Sequence, residues 1–538
     1  MRLRPTAVAL AIALIALGCS SSKDGGNKPP AQSGPAKTAK KSAEPSRGGN
    51  VRLPSNEPRY LNSVLETRFN RATPLIFEGL VGLGAQFEPV PALAQSWETS
   101  KDGKTITFRL RKGVLWHDGQ PFTSKDVLFT FQAMRKTTKP TVWKGYFADV
   151  DKLDAPDDHT IAVRYKKAYA PALITWTMGI LPEHVYGGGE LAESKGNKEP
   201  VGTGPFRLSR VEPGVRMILA ANDKWWGGRP YLDSVELIFG SKKPIELLAN
   251  GQLSFARVDD VHDWTQKANL SEFRSRFEVT SIPEARFRVI AWNAQKKPFD
   301  DKRVRLALTL ALNRDRVIED VFQGQAQSLS APYFPNMFGL DRSIAPHPFD
   351  LDRAVKLLDE AGLPSTDGKR FAVELIVLES LRGPNSDEML AIYRRDLAAI
   401  GIDLKVRFIS TKQFFEKVVL RDFEAAYFGW LPDIPDPDPY SLLHSSQIGG
   451  GQNFAGFANA EADKLLDEAR NTLSRDERRS IYQKLHKLLH DEMPYTPLYA
   501  PFGNYAWNRA IRGVNPRDVG PGGQMPGIAR WWVAGSDG

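Results

Sequence analysis

Apolar and polar residues alternate with period two along Thr105-Ile-Thr-Phe-Arg-Leu110, which predicts a half-buried strand. The preceding Lys101-Asp-Gly-Lys104 carries an Asp-Gly pair suited to a hairpin turn. Farther along the pattern changes. Ala354, Leu357, Leu358 and Ala361 fall on one helical face behind Asp350 as N-cap, with Gly362 and Pro364 stopping the helix. Phe371–Leu378 reads as a buried strand. Met389, Leu390, Tyr393, Leu397 and Ile400 then mark a helix from about Ser386 to Gly401, and Ile402, Leu404, Val406 and Phe408 alternate as the next strand. Strand, helix, strand in this order implies a parallel βαβ unit. A further helix over 303–313 would bury Val304, Leu308 and Ala311, its arginines meeting nearby carboxylates. Ser474 and Glu477 form a capping box before Ile481, Leu485, Leu488 and Leu489. The fold class is α/β (mixed α+β), in more than one domain.

The chain start has a different character. Met1-Arg-Leu-Arg4, an apolar run over 7–17 and Gly18 directly before Cys19 read as a secretion signal over 1–18. Ala16-Leu17-Gly18-Cys19 resembles a bacterial lipobox, with Ala16 and Leu17 in the reverse of the usual order. It implies that Cys19 is acylated and becomes the N-terminus, anchoring the protein to a membrane. Cys19 is the chain's only cysteine, so no intramolecular disulfide exists. Residues 20–49 are rich in Gly, Ser, Pro, Lys and Ala and read as a flexible tether, 19–47 in all with the lipidated Cys. No later stretch of about 18 apolar residues offers a transmembrane helix.

The full length of 538 residues, 41% of them hydrophobic and 25% charged, supports several cores. The net charge is +9, or +7 without Arg2 and Arg4 of the leader, and no basic block interleaves with aromatics, so nucleic-acid binding is not expected. Catalytic signatures come out negative. Gly103-Lys104-Thr105 ends like a P-loop, but Glu98 occupies the upstream Gly position and a strand follows. His486 and His490 share one helical turn without the Glu of a metalloprotease, which favours a solvated helix face over a zinc site. Asp433, Asp436 and Asp438 alternate with prolines where an ion-binding loop would need to curl. No nucleophile elbow occurs. No enzyme activity, cofactor or metal is expected, and an exported hydrolase is the weaker class.

A series of segments is informative only as an ordered set. Pro91-Ala-Leu-Ala-Gln-Ser-Trp97 leads to Asp102-Gly103 and then Phe108-Arg-Leu-Arg-Lys-Gly-Val-Leu-Trp-His-Asp-Gly-Gln-Pro121, followed by Ser124-Lys-Asp-Val127. Pro200-Val-Gly-Thr-Gly-Pro-Phe206 and Asn222-Asp-Lys-Trp-Trp-Gly-Gly-Arg-Pro-Tyr231 come next. Asn293, Pro298-Phe-Asp-Asp301, Arg303-Val-Arg305, Ala311-Leu-Asn-Arg314, Glu360-Ala-Gly362, Gly401-Ile-Asp403 and Gly429-Trp430 complete it. From about Gly48 to Trp532 this set resembles the family 5 bacterial extracellular solute-binding proteins, the oligopeptide, dipeptide and nickel binders of ABC importers. Taken singly, most of these residues serve turns or cores, as Gly204-Pro205, Trp116 and Trp225 illustrate.

The resemblance implies the two-lobed, type II periplasmic-binding-protein-like fold in its large three-domain variant. Domain I would comprise 48–74, 199–290 and 499–538, domain II 75–198 and domain III 291–498. Chain crossings near Ile290 and Leu498 would serve as hinge. It also implies a monomer that binds a small peptide and meets ABC permease subunits, lipid-anchored and facing the periplasm or cell exterior. The same scaffold carries nickel chelates, oligosaccharides and other solutes. Peptide binders of the family hold the ligand ammonium with the Asp of Gly-Trp-x-x-Asp, which Gly429-Trp430-Leu431-Pro432-Asp433 matches. Trp430 and Asp433 are therefore candidate ligand contacts. Dipeptide binders place an Arg for the ligand carboxylate in the loop after the strand matching Phe371–Leu378, which singles out Arg382. Leu53-Pro-Ser-Asn-Glu-Pro58 resembles the first strand and loop beside the cleft.

Overall fold

A computed structural model describes residues 44–66, 70–84, 88–284, 286–335, 338–431, 436, 438–516, 525 and 527–535. The leader, the lipidation candidate Cys19 and most of the tether lie outside these residues. The principal strands in chain order are β1 (Asn50–Ser55), β2 (Ala94–Thr99), β3 (Thr105–Leu110), β4 (Val150–Asp157), β5 (Thr160–Tyr165), β6 (Phe206–Glu212), β7 (Arg216–Ala221), β8 (Ser234–Phe239), β9 (Phe255–Val258), β10 (Phe277–Pro283), β11 (Phe287–Trp292), β12 (Phe371–Leu378), β13 (Ile402–Ile409), β14 (Ala425–Trp430) and β15 (Tyr495–Asn508). The helices that bear on the site are α1 (Lys302–Leu310), α2 (Leu351–Glu360), α3 (Pro384–Ala398), α4 (Ala460–Asn471) and α5 (Arg475–Glu492).

These strands form three main sheets. One has the order β1-β8-β7-β6, with β1 parallel to β8 at an edge. Edge placement is what lets β1 carry Pro54. A second, antiparallel sheet has the order β2-β3-β5-β4. The third is mixed, ordered β9-β15-β11-β14-β12-β13, with β10 also paired to β15. Within it β12 is parallel to both β13 and β14, the predicted βαβ unit with α3 as the crossover.

Strand β15 spans two sets of partners. Tyr495 to Tyr499 pair with β11, and Phe502 to Asn508 pair with β10, while Asn504 to Trp507 also take β9. Its Thr496 is buried and hydroxyl-bonded on two sides: the Trp292 indole N–H donates to its Oγ1 at 2.8 Å, and Thr309 Oγ1 lies 2.7 Å away. Arg305 of α1 ties the same region together. Its buried guanidinium donates to the carbonyls of Met493 at 3.1 Å, Glu492 at 2.9 Å and Phe299 at 2.9 Å. That arrangement satisfies carbonyls that the end of α5 leaves open.

The local predictions meet the structure closely where one short segment decides the outcome. The β2–β3 hairpin turns at Gly103, whose φ of +69° suits a residue without a side chain. Asp350 caps α2 by accepting from the Arg353 N–H at 2.9 Å, and Gly362 follows it at φ +79°. Helix α3 begins at Pro384, earlier than Ser386, because proline's fixed φ fits a first helical turn. Helix α1 ends at Leu310, short of 313, because Asn313 caps the next turn by accepting from the Arg316 N–H at 2.9 Å. Ser474 accepts from the Glu477 N–H at 3.4 Å, but the returning Glu477 bond that would complete a capping box does not appear among the described contacts. Among the described residues no helix is long and apolar enough to cross a membrane.

The expectation that His486 and His490 lie on a solvated face is overturned. Helix α5 packs beneath Ser330, Tyr333, Phe338, Asp341 and His347, and His486 is fully buried. The backbone N–H of Asp341 donates to its Nδ1 at 3.1 Å, so Nε2–H faces Ser330 Oγ at 3.0 Å. His490 Nδ1 lies 2.7 Å from the Ser330 carbonyl, and its ring stacks on His347 at 3.8 Å. The alternation test saw two polar residues on a helix; what covers them comes from 140 to 160 positions away.

Burial, only partly offset by the Asp341 carboxylate, lowers the His486 pKa from its ordinary 6.5 to about 4. As pH falls, the unfolded chain therefore takes up this proton first, and the associated stability is lost between about pH 6.5 and 4. Replacing His486 by Gln removes that dependence. The gap in unfolding free energy between wild type and His486→Gln, measured by urea titration, should narrow by about 3 kcal/mol from pH 7 to pH 4. A constant gap would place the acid sensitivity elsewhere.

Candidate ligand-binding edge of the large sheet

Parallel strands β12, β13 and β14 all point their C-terminal ends to one edge of the large sheet. Strand β11 runs antiparallel to β14, so its first residues, Phe287 and Arg288, come to the same edge opposite Trp430 and Gly429. In open α/β sheets, the region outside the carboxyl ends of the strands is where the loops leave a crevice for ligands.

Arg382 lies in the turn just after β12. Its guanidinium sits 4.2 Å over the Phe408 ring and 3.2 Å from Glu379, and the side chain is 55% exposed. Trp430 ends β14, half-buried, stacked on Phe454 at 5.6 Å and edge-on to Phe428 at 5.3 Å. Its indole nitrogen is sealed from solvent without a hydrogen-bond partner among the described residues. The two candidates thus share an edge but not a face. Phe408 packs with Tyr427 and Tyr499 on one side, whereas Trp430 packs with Phe428 and Phe287 on the other. Asp433 lies outside the described residues.

The carboxylates that follow Asp433 are each matched to a helix. Asp436 is buried and its Oδ2 is 2.9 Å from Arg478 Nη2 on α5. Burial pushes its carboxyl up to about 6, against the pull of Arg478. Asp438 Oδ2 accepts from Arg470 Nε on α4 at 2.7 Å, and the Arg470 guanidinium lies 3.6 Å over the Tyr440 ring. Neither pairing was legible in the sequence: the partners stand more than 30 residues away, on helices that the sequence pattern does not dock against the 433–438 stretch.

Arg470 also meets the sheet of β2 to β5. The N–H of Ala170, just beyond β5, donates to its carbonyl at 2.7 Å, and the Tyr169 ring lies 5.8 Å from its guanidinium. A Cβ on Gly103, at the β2–β3 turn, would stand 2.8 Å from Leu473 Cδ1. The small sheet therefore touches the end of α4 at two places.

A second charged group lies where β9, β10 and β11 approach β15. Arg257 reaches Asp259 at 2.7 Å and Glu284 at 3.1 Å, and Arg286 reaches the same two acids at 3.2 and 2.7 Å. Tyr505 donates to Glu284 at 2.9 Å. Two arginines and two acids thus balance one another's charge, although Arg257 Nε and Nη2 and Arg286 Nε lack a well-aligned hydrogen-bond acceptor among the described residues.

A cavity of about 550 Å³ lies apart from Arg382 and Trp430, lined by residues within 74–84 and 90–92, by Trp225 and Trp226, and by Met525 and residues 527–530. Within it the indoles of Trp225 and Trp226 donate to the two oxygens of Glu78 at 3.1 and 2.9 Å. Burial nevertheless pushes the Glu78 carboxyl up to about 7. The expected packing role of Trp225 is thus joined to a hydrogen bond. Among the described residues no cluster of three or more His, Cys, Asp or Glu could hold a metal ion.

Comparison with known proteins places this geometry in a wider set. Residues 88–452 match the family described as bacterial extracellular solute-binding proteins, family 5 Middle. The oligopeptide-binding protein AppA of Bacillus subtilis (strain 168) is 28% identical, over 98% of this chain and 98% of its own. The di/tripeptide-binding protein 2 of Pseudomonas aeruginosa (strain UCBPP-PA14) is 30% identical over 79% of this chain and 83% of its own. The structure of the ABC transporter-associated periplasmic binding protein DppA from Helicobacter pylori with peptide STSA is similar with a TM-score of 0.74 at 26% identity, covering 91% of this chain and 98% of that one.

The Asp436–Arg478 pair gives a direct check on the buried charges beside the edge. Arg478→Met strands the Asp436 carboxylate and should destabilise the fold by about 3–5 kcal/mol. Asp436→Asn combined with Arg478→Met removes both charges and should recover much of that loss. Equal denaturant midpoints for the single and double variants would show that the pair is not coupled.

Proposed function

The chain belongs to the bacterial extracellular solute-binding proteins of family 5, and from that premise we propose that it captures short peptides at the C-terminal edge of its large sheet. It delivers them to the permease subunits of an ABC importer, acting as a monomer that binds its ligand without converting it. The observation that carries this reading is the match over 91% of the chain to a solved relative holding the peptide STSA. The two curated relatives, named for oligopeptides and for di- and tripeptides, support the same ligand class.

We divide the chain into domain I (48–74, 199–290 and 499–538), domain II (75–198) and domain III (291–498). What supports this division is the sorting of strands: β1, β6, β7 and β8 form one sheet, β2 to β5 another, and β12 to β14 lie wholly in the third. The hinge assigned near Ile290 and Leu498 falls where β11 and β15 pair. Ligand contacts available only when the lobes meet would drive closure about it. An extended peptide offers backbone N–H and C=O groups to strand edges, which tolerates varied side chains and leaves specificity to the charged ends.

In this reading the Asp433 carboxylate receives the peptide ammonium, beside Trp430, and the role rests on Gly429-Trp-Leu-Pro-Asp433. Asp433→Asn keeps the shape and removes the charge. The expected loss is about 2–5 kcal/mol, or roughly 30-fold to several thousand-fold in Kd by calorimetry. Acetylating the peptide N-terminus should weaken wild type comparably and add little to the variant, because both changes remove one interaction. Additive losses would defeat the assignment.

The anchor is assigned to Cys19 as the lipidated residue. Cys19→Ser should move the protein from the membrane pellet to the soluble fraction, and mass spectrometry of the wild-type N-terminus should show acyl chains. An unmodified N-terminus in the wild type would overturn it.

A further inference from the structure

Arg288 stands at the second position of β11, on the edge just described, and is half-buried. It faces Gly429 across the ladder with β14, and a Cβ at Gly429 would come within 2.7 Å of its Cδ and 2.8 Å of its Nη1. The absence of a side chain at 429 is thus what lets the arginine lie across β14. Its face of the sheet is that of Ile290, Tyr427 and Tyr499, the same side on which Arg382 covers Phe408. Tyr427 and Tyr499 join their hydroxyls at 3.0 Å on this face.

The arginines nearby differ from it in one respect. Arg257 and Arg286 share Asp259 and Glu284 in a closed set of ion pairs. Arg382 has Glu379 at 3.2 Å. The Arg288 side chain makes no hydrogen bond or ion pair among the described residues, so its five donors are unspent. A guanidinium partly withdrawn from water without an anion loses solvation and gains nothing in return. Its planar fork matches a carboxylate in two parallel hydrogen bonds.

We propose that Arg288 is a ligand-binding residue that receives a carboxylate of the bound peptide. The inference rests on the peptide reading above and deepens it, moving the carboxylate contact from the paired, exposed Arg382 to the unpaired, half-buried Arg288. Two parts of a peptide supply the same chemistry: its C-terminus and an acidic side chain.

The test uses calorimetry on the full mature protein with oligoalanines of two to six residues. Each is offered as the free acid, as the C-terminal amide, and as an amide carrying one Glu. Wild type should prefer the free acid or the Glu-containing amide over the plain amide by about 10- to 150-fold, identifying the source of the carboxylate. In Arg288→Met that preference should vanish, and in Arg288→Lys it should return in part. Arg382→Met should keep it. Because Arg288 has no described partner to strand, the denaturant midpoint of Arg288→Met should match wild type. Peptide binding with the preference intact in Arg288→Met overturns the assignment alone. Failure of every peptide to bind wild type overturns it together with the peptide reading.

Discussion

The geometry of the site depends on one long strand. Residues 495–499 hold β11, and through it the parallel strands that bear the proposed ligand-binding edge, while residues 502–508 hold β9 and β10. Arg288, Arg382 and Trp430 are placed relative to this ladder. A shift of one residue would turn Thr496 away from Trp292 and Thr309 and send each alternate side chain to the wrong face. The buried guanidinium of Arg305, bonded to carbonyls at the end of α5 just before the strand begins, opposes such a slip.

Charge is distributed around the edge in two ways. Asp436 and Asp438 are anchored by Arg478 and Arg470, and Arg257 and Arg286 share Asp259 and Glu284. Such pairs fix the walls: partners satisfied within the protein have little to offer a ligand, and removing one is costly because the other stays buried. Among the described residues at the edge, the Arg288 fork makes no polar contact and the indole N–H of Trp430 is sealed without a partner. Rigid, self-satisfied surroundings with isolated unspent donors are what a recognition site requires, since no internal bond must break before a ligand bond forms.

The sequence was readable where one segment determines its own conformation. Asp-Gly at the β2–β3 turn, Asp350 at the head of α2, Gly362 behind it and the alternation of β13 each carry their own cause within a few residues. What failed was everything set by a distant partner. His486 resembled a solvated position until Ser330 and Asp341 covered it, and Asp436 and Asp438 resembled a failed ion site until α4 and α5 supplied arginines. Of the candidate site, Trp430 was found through motif resemblance and Arg382 through its loop position, neither of which gave the sheet edge they share or the opposite faces they take. Arg288 offered no signal at all: it lies in a strand near Arg286, and only the absence of a side-chain partner among the described residues distinguishes it.

A scaffold built this way separates folding from recognition. Most of the shared segments, such as Pro200-Val-Gly-Thr-Gly-Pro-Phe206 and the Arg303-Val-Arg305 helix, serve turns and buried clamps that any ligand would need. Gly204 shows why they are fixed: a Cβ there would fall 2.4 Å from the Leu75 carbonyl oxygen, whatever the cleft contained. In the proposed reading, ligand choice then falls to side chains at the sheet edge. A change such as a new arginine opposite an existing glycine alters the charge offered to a ligand without disturbing the ladder behind it. Overall similarity near 28–30% is therefore compatible with a common fold and with differing ligands, and the proposed site puts discrimination among solutes on residues whose bonding is incomplete without one.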